Sequence, residues 1–140
     1  MSFRNPDFDS IRRLLDGART IALVGYSPRE DRPSHRIAAR LKQVGYRVIP
    51  VRPGLREGLG ETAYADLRSI PESIAIDLVD VFRAAESAPA VVADCLARRV
   101  PAGWFQDGIV HEAAALEAQA SGITVVMDRC IWRDYRSLHP

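Results

Sequence analysis

Apolar positions follow two alternating rhythms along the chain. Phe8, Ile11, Leu14, Leu15 and Ala18 keep helical spacing, with Gly17 as a stop signal. The unbroken run Ile21, Ala22, Leu23 and Val24, ending at Gly25, instead reads as a strand buried on both faces. After a polar loop, Pro33 opens a second amphipathic helix carrying Ile37, Ala38, Leu41 and Val44, and Gly45 closes it. Residues 47–51 form the second predicted strand, in which Pro50 argues against full pairing. Residues 52–73 are rich in Gly and Pro and predict an irregular crossover with a short helix near residues 65–69. A third strand is expected over residues 76–82, followed by Ser87 as an N-cap and a helical stripe of Ala88, Val91, Val92, Cys95 and Leu96. Residues 103–105 give a fourth strand, residues 111–121 a helix closed by Gly122, and residues 123–127 a fifth strand. Residues 131–138 read as a last short helix.

Strands alternating with helices predict a Rossmann-like, doubly wound parallel sheet in three α/β/α layers, because each crossover must bury its apolar stripe against the sheet. At 140 residues the chain has the size of a single domain, residues 1–140, and is too short for a two-domain enzyme. The common strand order 3-2-1-4-5 would reverse direction between strands one and four. It would open a crevice between the ends Gly25, Tyr26, Ser27 and Gln106, Asp107, Gly108.

Charge narrows the class of partner. Lys and Arg number 19 against 18 Asp and Glu, a formal net charge of +1, so no global field draws the chain to nucleic acid or an anionic membrane. Any anion must be bound locally. Two cysteines, Cys95 and Cys130, make no disulfide framework and no zinc spacing. With no signal-like start and no long apolar run, the expected setting is the cytoplasm.

The local chemistry begins at Gly25, which can turn the backbone from a buried strand toward a helix start with free N–H groups. Ser27 adds a hydroxyl and Arg29 a guanidinium suited to bidentate phosphate contacts. These residue types are also common in any α/β loop. The dinucleotide fingerprint is absent, because Tyr26, Ser27, Pro28, Arg29 and Glu30 follow Gly25 without the other glycines. The end of the second strand offers Arg52 where an NAD site wants an acid, which disfavours NAD. A phosphorylated adenosine ribose, as in NADP or coenzyme A, suits Arg52, and so does a plain solvated loop position.

Taken in order, the segments Ile21-Ala22-Leu23-Val24-Gly25-Tyr26-Ser27-Pro28, Asp31-Arg32-Pro33-Ser34, Val48-Ile49-Pro50-Val51-Arg52-Pro53, Asp80-Val81-Phe82-Arg83 and Val126-Met127-Asp128-Arg129-Cys130 carry a resemblance. They resemble the small stand-alone CoA-binding domain family, relatives of the N-terminal CoA-binding domain of the succinyl-CoA synthetase alpha subunit. The resemblance implies that Gly25, Tyr26, Ser27 and Arg29 hold the phosphates of coenzyme A. It implies further that Val51, Arg52 and Pro53 border the nucleotide and that Phe82 and Arg83 line the same crevice. Arg52 departs from the asparagine usual in the family. The pantetheine arm is expected to run toward Gln106 and Gly108.

Relative to the larger synthetases that it resembles, the chain is expected to lack the second domain that supplies a phosphorylated histidine and the nucleotide-grasp portion. The expectation is therefore non-catalytic binding of CoA or an acyl-CoA, with no catalytic residues. The alternatives are an NADP-binding oxidoreductase or nucleotide sensor in the same crevice, and an interaction protein whose crevice is vestigial. The sequence leaves open a homodimer or another protein partner.

Other residues carry weaker signals. His35, His111 and His139 show no metal-ligand spacing, so no metal is expected. Asp80 shares a strand face with Leu78 and Phe82, where a buried carboxylate needs a partner, and Arg83 or Arg129 is the expected one. Cys130 beside Arg129 is either a half-buried small residue or a thiol activated toward CoA; Cys95 reads as core.

Overall fold

The computed structural model describes residues 2–140. Its elements run α1 (Phe8–Gly17), β1 (Thr20–Val24), α2 (Pro33–Gln43), β2 (Arg47–Val51), β3 (Glu57–Gly58), β4 (Glu61–Thr62), β5 (Leu78–Val81), α3 (Ala88–Ala97), β6 (Ala102–Phe105), α4 (Glu112–Ala120), β7 (Thr124–Met127) and α5 (Ile131–Leu138). Five strands form one parallel sheet in the order β2-β1-β5-β6-β7, the Rossmann-like doubly wound arrangement expected from the alternation. The two-residue strands β3 and β4 form a hairpin that apolar periodicity does not announce.

Handedness explains the layers. The chain moves one way from β1 to β2 with α2 on one face, then the other way through β5, β6 and β7 with its crossovers on the opposite face. Leu15, Leu41 and Ile131 of α1, α2 and α5 pack with Ile21, Leu23 and Trp104 on the first face. Val92 of α3, Ala115 of α4, and Leu67 and Ile70 of the crossover pack with Ala22, Val79 and Val125 on the second.

The order corrects the expected 3-2-1-4-5. A strand outside β2 would need residues 52–77 to cover the face that α2 occupies. Instead Leu67, Ile70 and Ile76 bury against the opposite face, the segment passes over β1, and the third large strand lands beside β1. Direction therefore reverses between β1 and β5, and the crevice opens between Gly25 and Phe82 rather than between Gly25 and Gln106.

Local rules account for most element ends. The Asp7 carboxylate caps α1 by accepting from Ser10 N (2.8 Å), and Pro33 occupies the first turn of α2. Ser87 flanks α3 but caps it with no side-chain hydrogen bond, because a 3-10 turn over Ala85–Ser87 leads into the helix. His111 caps α4 instead, its Nδ1 accepting from Ala114 N at 3.0 Å. The expected short helix is a 3-10 turn, Leu67–Ser69, capped by Asp66. Asp77 falls outside β5, where its carboxylate accepts from Arg19 N and Thr20 N at 2.9 Å each.

Both sheet edges are covered at their carboxyl ends. Pro50 is tolerated because β2 is an edge, and beyond it Tyr64 N donates to Pro50 O while Arg52 N donates to Tyr64 O. At β7 the Asn5 side chain acts as a surrogate strand: Met127 N donates to its Oδ1 (2.7 Å) and its Nδ2 donates to Met127 O (2.8 Å).

Asp80 departs from expectation. It is fully buried in β5 between Leu23 of β1 and Trp104 of β6, and neither carboxylate oxygen has a hydrogen-bond partner. Arg129 binds Asp134 in a two-point ion pair (2.6 and 2.9 Å), and Arg83 is exposed, so no guanidinium reaches Asp80. Burial alone pushes its carboxyl well above the usual carboxylate range. Cys95 is core as expected, its thiol pushed up to about 12 chiefly by burial.

Two outcomes follow from these placements. The unfolded chain ionises Asp80 in the ordinary range while the folded chain keeps the proton, so unfolding releases a proton and stability falls as pH rises above about 4, by up to about 1.4 kcal/mol per pH unit until the raised folded value is reached. Denaturant titrations of the wild type and Asp80→Asn should therefore show a stability difference that shifts in favour of the variant between pH 5 and pH 8. At Gly25 (φ +89°) an added Cβ would lie 2.6 Å from Phe82 O, so Gly25→Ala must part the ends of β1 and β5. It should cost about 2 kcal/mol or more in the same titration.

Candidate functional site

The carboxyl ends of the strands step across the sheet through backbone hydrogen bonds. Gly25 N donates to Val51 O (3.0 Å), Phe82 N to Val24 O (2.8 Å) and Gln106 N to Val81 O (3.3 Å). The chain turns sharply at Gly25, the one residue type that permits both the positive φ and the close approach to Phe82. That turn aims the following loop at the start of α2, and a cleft of about 380 Å³ opens between them.

Of the residues that the resemblance grouped, Gly25, Ser27, Arg29, Arg52 and Phe82 line this cleft, and Tyr26, Val51, Pro53 and Arg83 do not. Arg32, Pro33 and Ser34 complete it and were not among the predicted site residues, although they belong to the second of the resembling segments and sit at a helix start. Three guanidinium-bearing residues therefore face a cleft whose lining holds no carboxylate. The first turn of α2 carries no acid either, so the positive end of the helix is not neutralised from within. Arg29 pairs with exposed Asp31 at 2.9 Å, outside the lining. Ser27 N donates to Ser34 Oγ (2.9 Å), and Arg29 N donates to Ser27 Oγ (3.3 Å), which ties the loop to the helix it faces.

Other predicted residues lie elsewhere. The Tyr26 side chain is buried, its hydroxyl hydrogen-bonded to His35 Nδ1 at 2.9 Å, and only its backbone carbonyl reaches the arginines, accepting from Arg52 Nη1 at 3.5 Å. Val51 and Arg83 line a second cleft of about 320 Å³ on the other side of the strand ends. Its walls are Val24, Val51, Leu67 and Val91, with Asp66, Ser87 and Arg83 among its polar groups. The Asp66 carboxyl is held below the usual range chiefly by hydrogen bonds from Ser69. Pro53 is exposed and lines neither cleft.

Gln106 and Gly108 lie past the end of β6 and outside both clefts, Gln106 beside the end of β5 and Gly108 beside Asp128 after β7. The Gln106 side chain is buried and accepts from Ile131 N at 3.2 Å, and Gly108 N donates to Asp128 Oδ1 at 2.7 Å. Arg129, committed to Asp134, is not the free cation that an activated Cys130 was expected to have. Among the described residues no cluster of His, Cys, Asp and Glu is suited to a metal ion, and no helix is long and apolar enough to cross a membrane.

A phosphate ester fits this donor set: arginines, serines, a helix start and a glycine that leaves room for close backbone approach. Similarity to known proteins points the same way. The chain is 39% identical over 128 residues to the uncharacterized protein YneT of Bacillus subtilis (strain 168), covering 91% of this chain and 93% of that one. It is 30% identical over 125 residues to the ADP-forming acetate–CoA ligase I of Archaeoglobus fulgidus, covering 81% of this chain but only 18% of the ligase. A solved structure of a hypothetical protein from Pyrococcus horikoshii OT3 superposes with a TM-score of 0.92 at 29% identity, covering 100% of this chain and 99% of that one. Residues 19–136 match the family model described as a CoA binding domain, and the chain belongs to that family.

Proposed function

We propose that the protein binds coenzyme A or an acyl-CoA in the crevice at the β1/β5 reversal and performs no chemistry on it. The observation that carries this reading is the acid-free cleft where Arg29, Arg32 and Arg52 meet the start of α2. Phosphates carry the charge that such a lining selects, and each charge-assisted contact is stronger than a neutral one. The second cleft, with Val24, Val51 and Val91 as walls and polar groups at its margin, suits the adenine base. Gly25 and Phe82 line the first cleft and their chain neighbours Val24 and Arg83 the second, so a nucleotide crossing the strand ends would place its phosphates in one and its base in the other. The pantetheine arm would then leave past Phe82 toward Gln106 and Gly108.

Membership of the family supports coenzyme A over a nicotinamide cofactor, as does Arg52 at the end of β2 in place of an acid. The ligase relative is consistent with binding alone, because the shared region amounts to 18% of its length.

Isothermal titration with CoA, acetyl-CoA, NAD and NADP tests the reading. CoA and acetyl-CoA should bind and the nicotinamide cofactors should not; saturation by NADP alone would overturn it. Arg29→Ala and Arg52→Ala should each weaken CoA binding by about 1.5 to 3 kcal/mol at matched salt. An unchanged dissociation constant removes that residue from the site.

A further inference from the structure

The anion site is built against an acid that has no partner. Asp80 of β5 lies two positions before Phe82, whose amide continues the ladder to Val24 O, and alternation puts both side chains on the same face of the sheet. Phe82 lines the arginine cleft, so the Asp80 level lies about 7 Å deeper along the strand. Its neighbours across the sheet are Leu23 and Trp104, and both carboxylate oxygens are buried and without hydrogen bonds.

No side chain of the packed elements hydrogen-bonds Asp80, and exposed Arg40 of α2 lies over the Trp132 ring of α5. From the β1 loop and α2 come Tyr26 and His35, which bond each other; after α2 comes Tyr46, whose hydroxyl donates to Leu15 O near the end of α1. From α5 comes buried Asp134, already bound to Arg129. Asp16 of α1 is half exposed and faces His139. Arg29, Arg32 and Arg52 line the cleft above, where the proposed phosphates would take them.

We propose that Asp80 is kept as a neutral carboxylic acid beneath the phosphate site, and that ionisation of Asp80 and binding of an anion in the arginine cleft oppose each other. This rests on the proposed binding of CoA. An unpaired carboxylate in a dry interior is screened poorly, and a phosphate charge roughly 10 Å away repels it enough to change affinity on the order of tenfold per unit charge. The sheet would then bind its ligand together with the Asp80 proton, and alkaline conditions would release both. Neutral Asp80 leaves the field of the three arginines undiminished, which gives the retained acid a role that packing alone does not.

CoA dissociation constants measured by isothermal titration from pH 6 to pH 10, at fixed ionic strength, test the coupling in the wild type and Asp80→Asn. Ionisation of CoA itself is common to both proteins, so the comparison isolates Asp80. The wild type should lose at least tenfold more affinity than the variant toward the alkaline end. Parallel profiles overturn the coupling while leaving CoA binding intact, whereas no CoA binding at any pH overturns the proposed function and the coupling with it. If Asp80→Asn does not fold, infrared spectroscopy of the wild type follows the carbonyl stretch of the buried protonated acid against pH. The band should persist to higher pH with CoA present, and identical titration with and without CoA overturns the proposal.

Discussion

The contact on which the site depends is between a backbone carbonyl and a missing side chain. Gly25 brings the end of β1 to the Phe82 carbonyl more closely than any Cβ allows. Because β1 and β5 are neighbours on which the winding reverses, this contact also fixes the floor of the crevice. The loop after Gly25, the start of α2 and the end of β2 are all placed by that floor. The cleft lining is thus drawn from separate stretches of chain, with Ser34 buried and the three arginines exposed.

Much of this was legible in the sequence for identifiable reasons. The five large strands are short apolar runs buried on both faces, and the helices carry single apolar stripes, so the layer architecture followed from periodicity. Gly25, Ser27 and Arg29 were found because a glycine directly after a buried strand is a local signal. Strand order was not legible, since it depends on which face residues 52–77 cover, and only the burial of Leu67, Ile70 and Ile76 decides that. Arg32 and Ser34 were overlooked as site residues because the helix start was read for its free backbone N–H groups and not for the side chains it carries.

Charged residues show where sequence logic meets its boundary. The rule that a buried acid finds a base held for Asp134, which sits one turn from Arg129 at the start of α5. It failed for Asp80, because a strand interior between Leu23 and Trp104 has no room for a guanidinium and both candidate arginines lie beyond the strand ends. The stability surrendered there must be supplied by the two apolar layers that enclose the sheet.

The Asn5 amide, gripping both backbone groups of Met127, has a consequence of a different kind. Open β-edges are templates on which unrelated chains can nucleate ordered aggregates. With Tyr64 stationed along β2 and Asn5 along β7, neither flank of this sheet offers a complete ladder for such growth. A small amide thus occupies backbone groups of β7 that would otherwise be open to another chain.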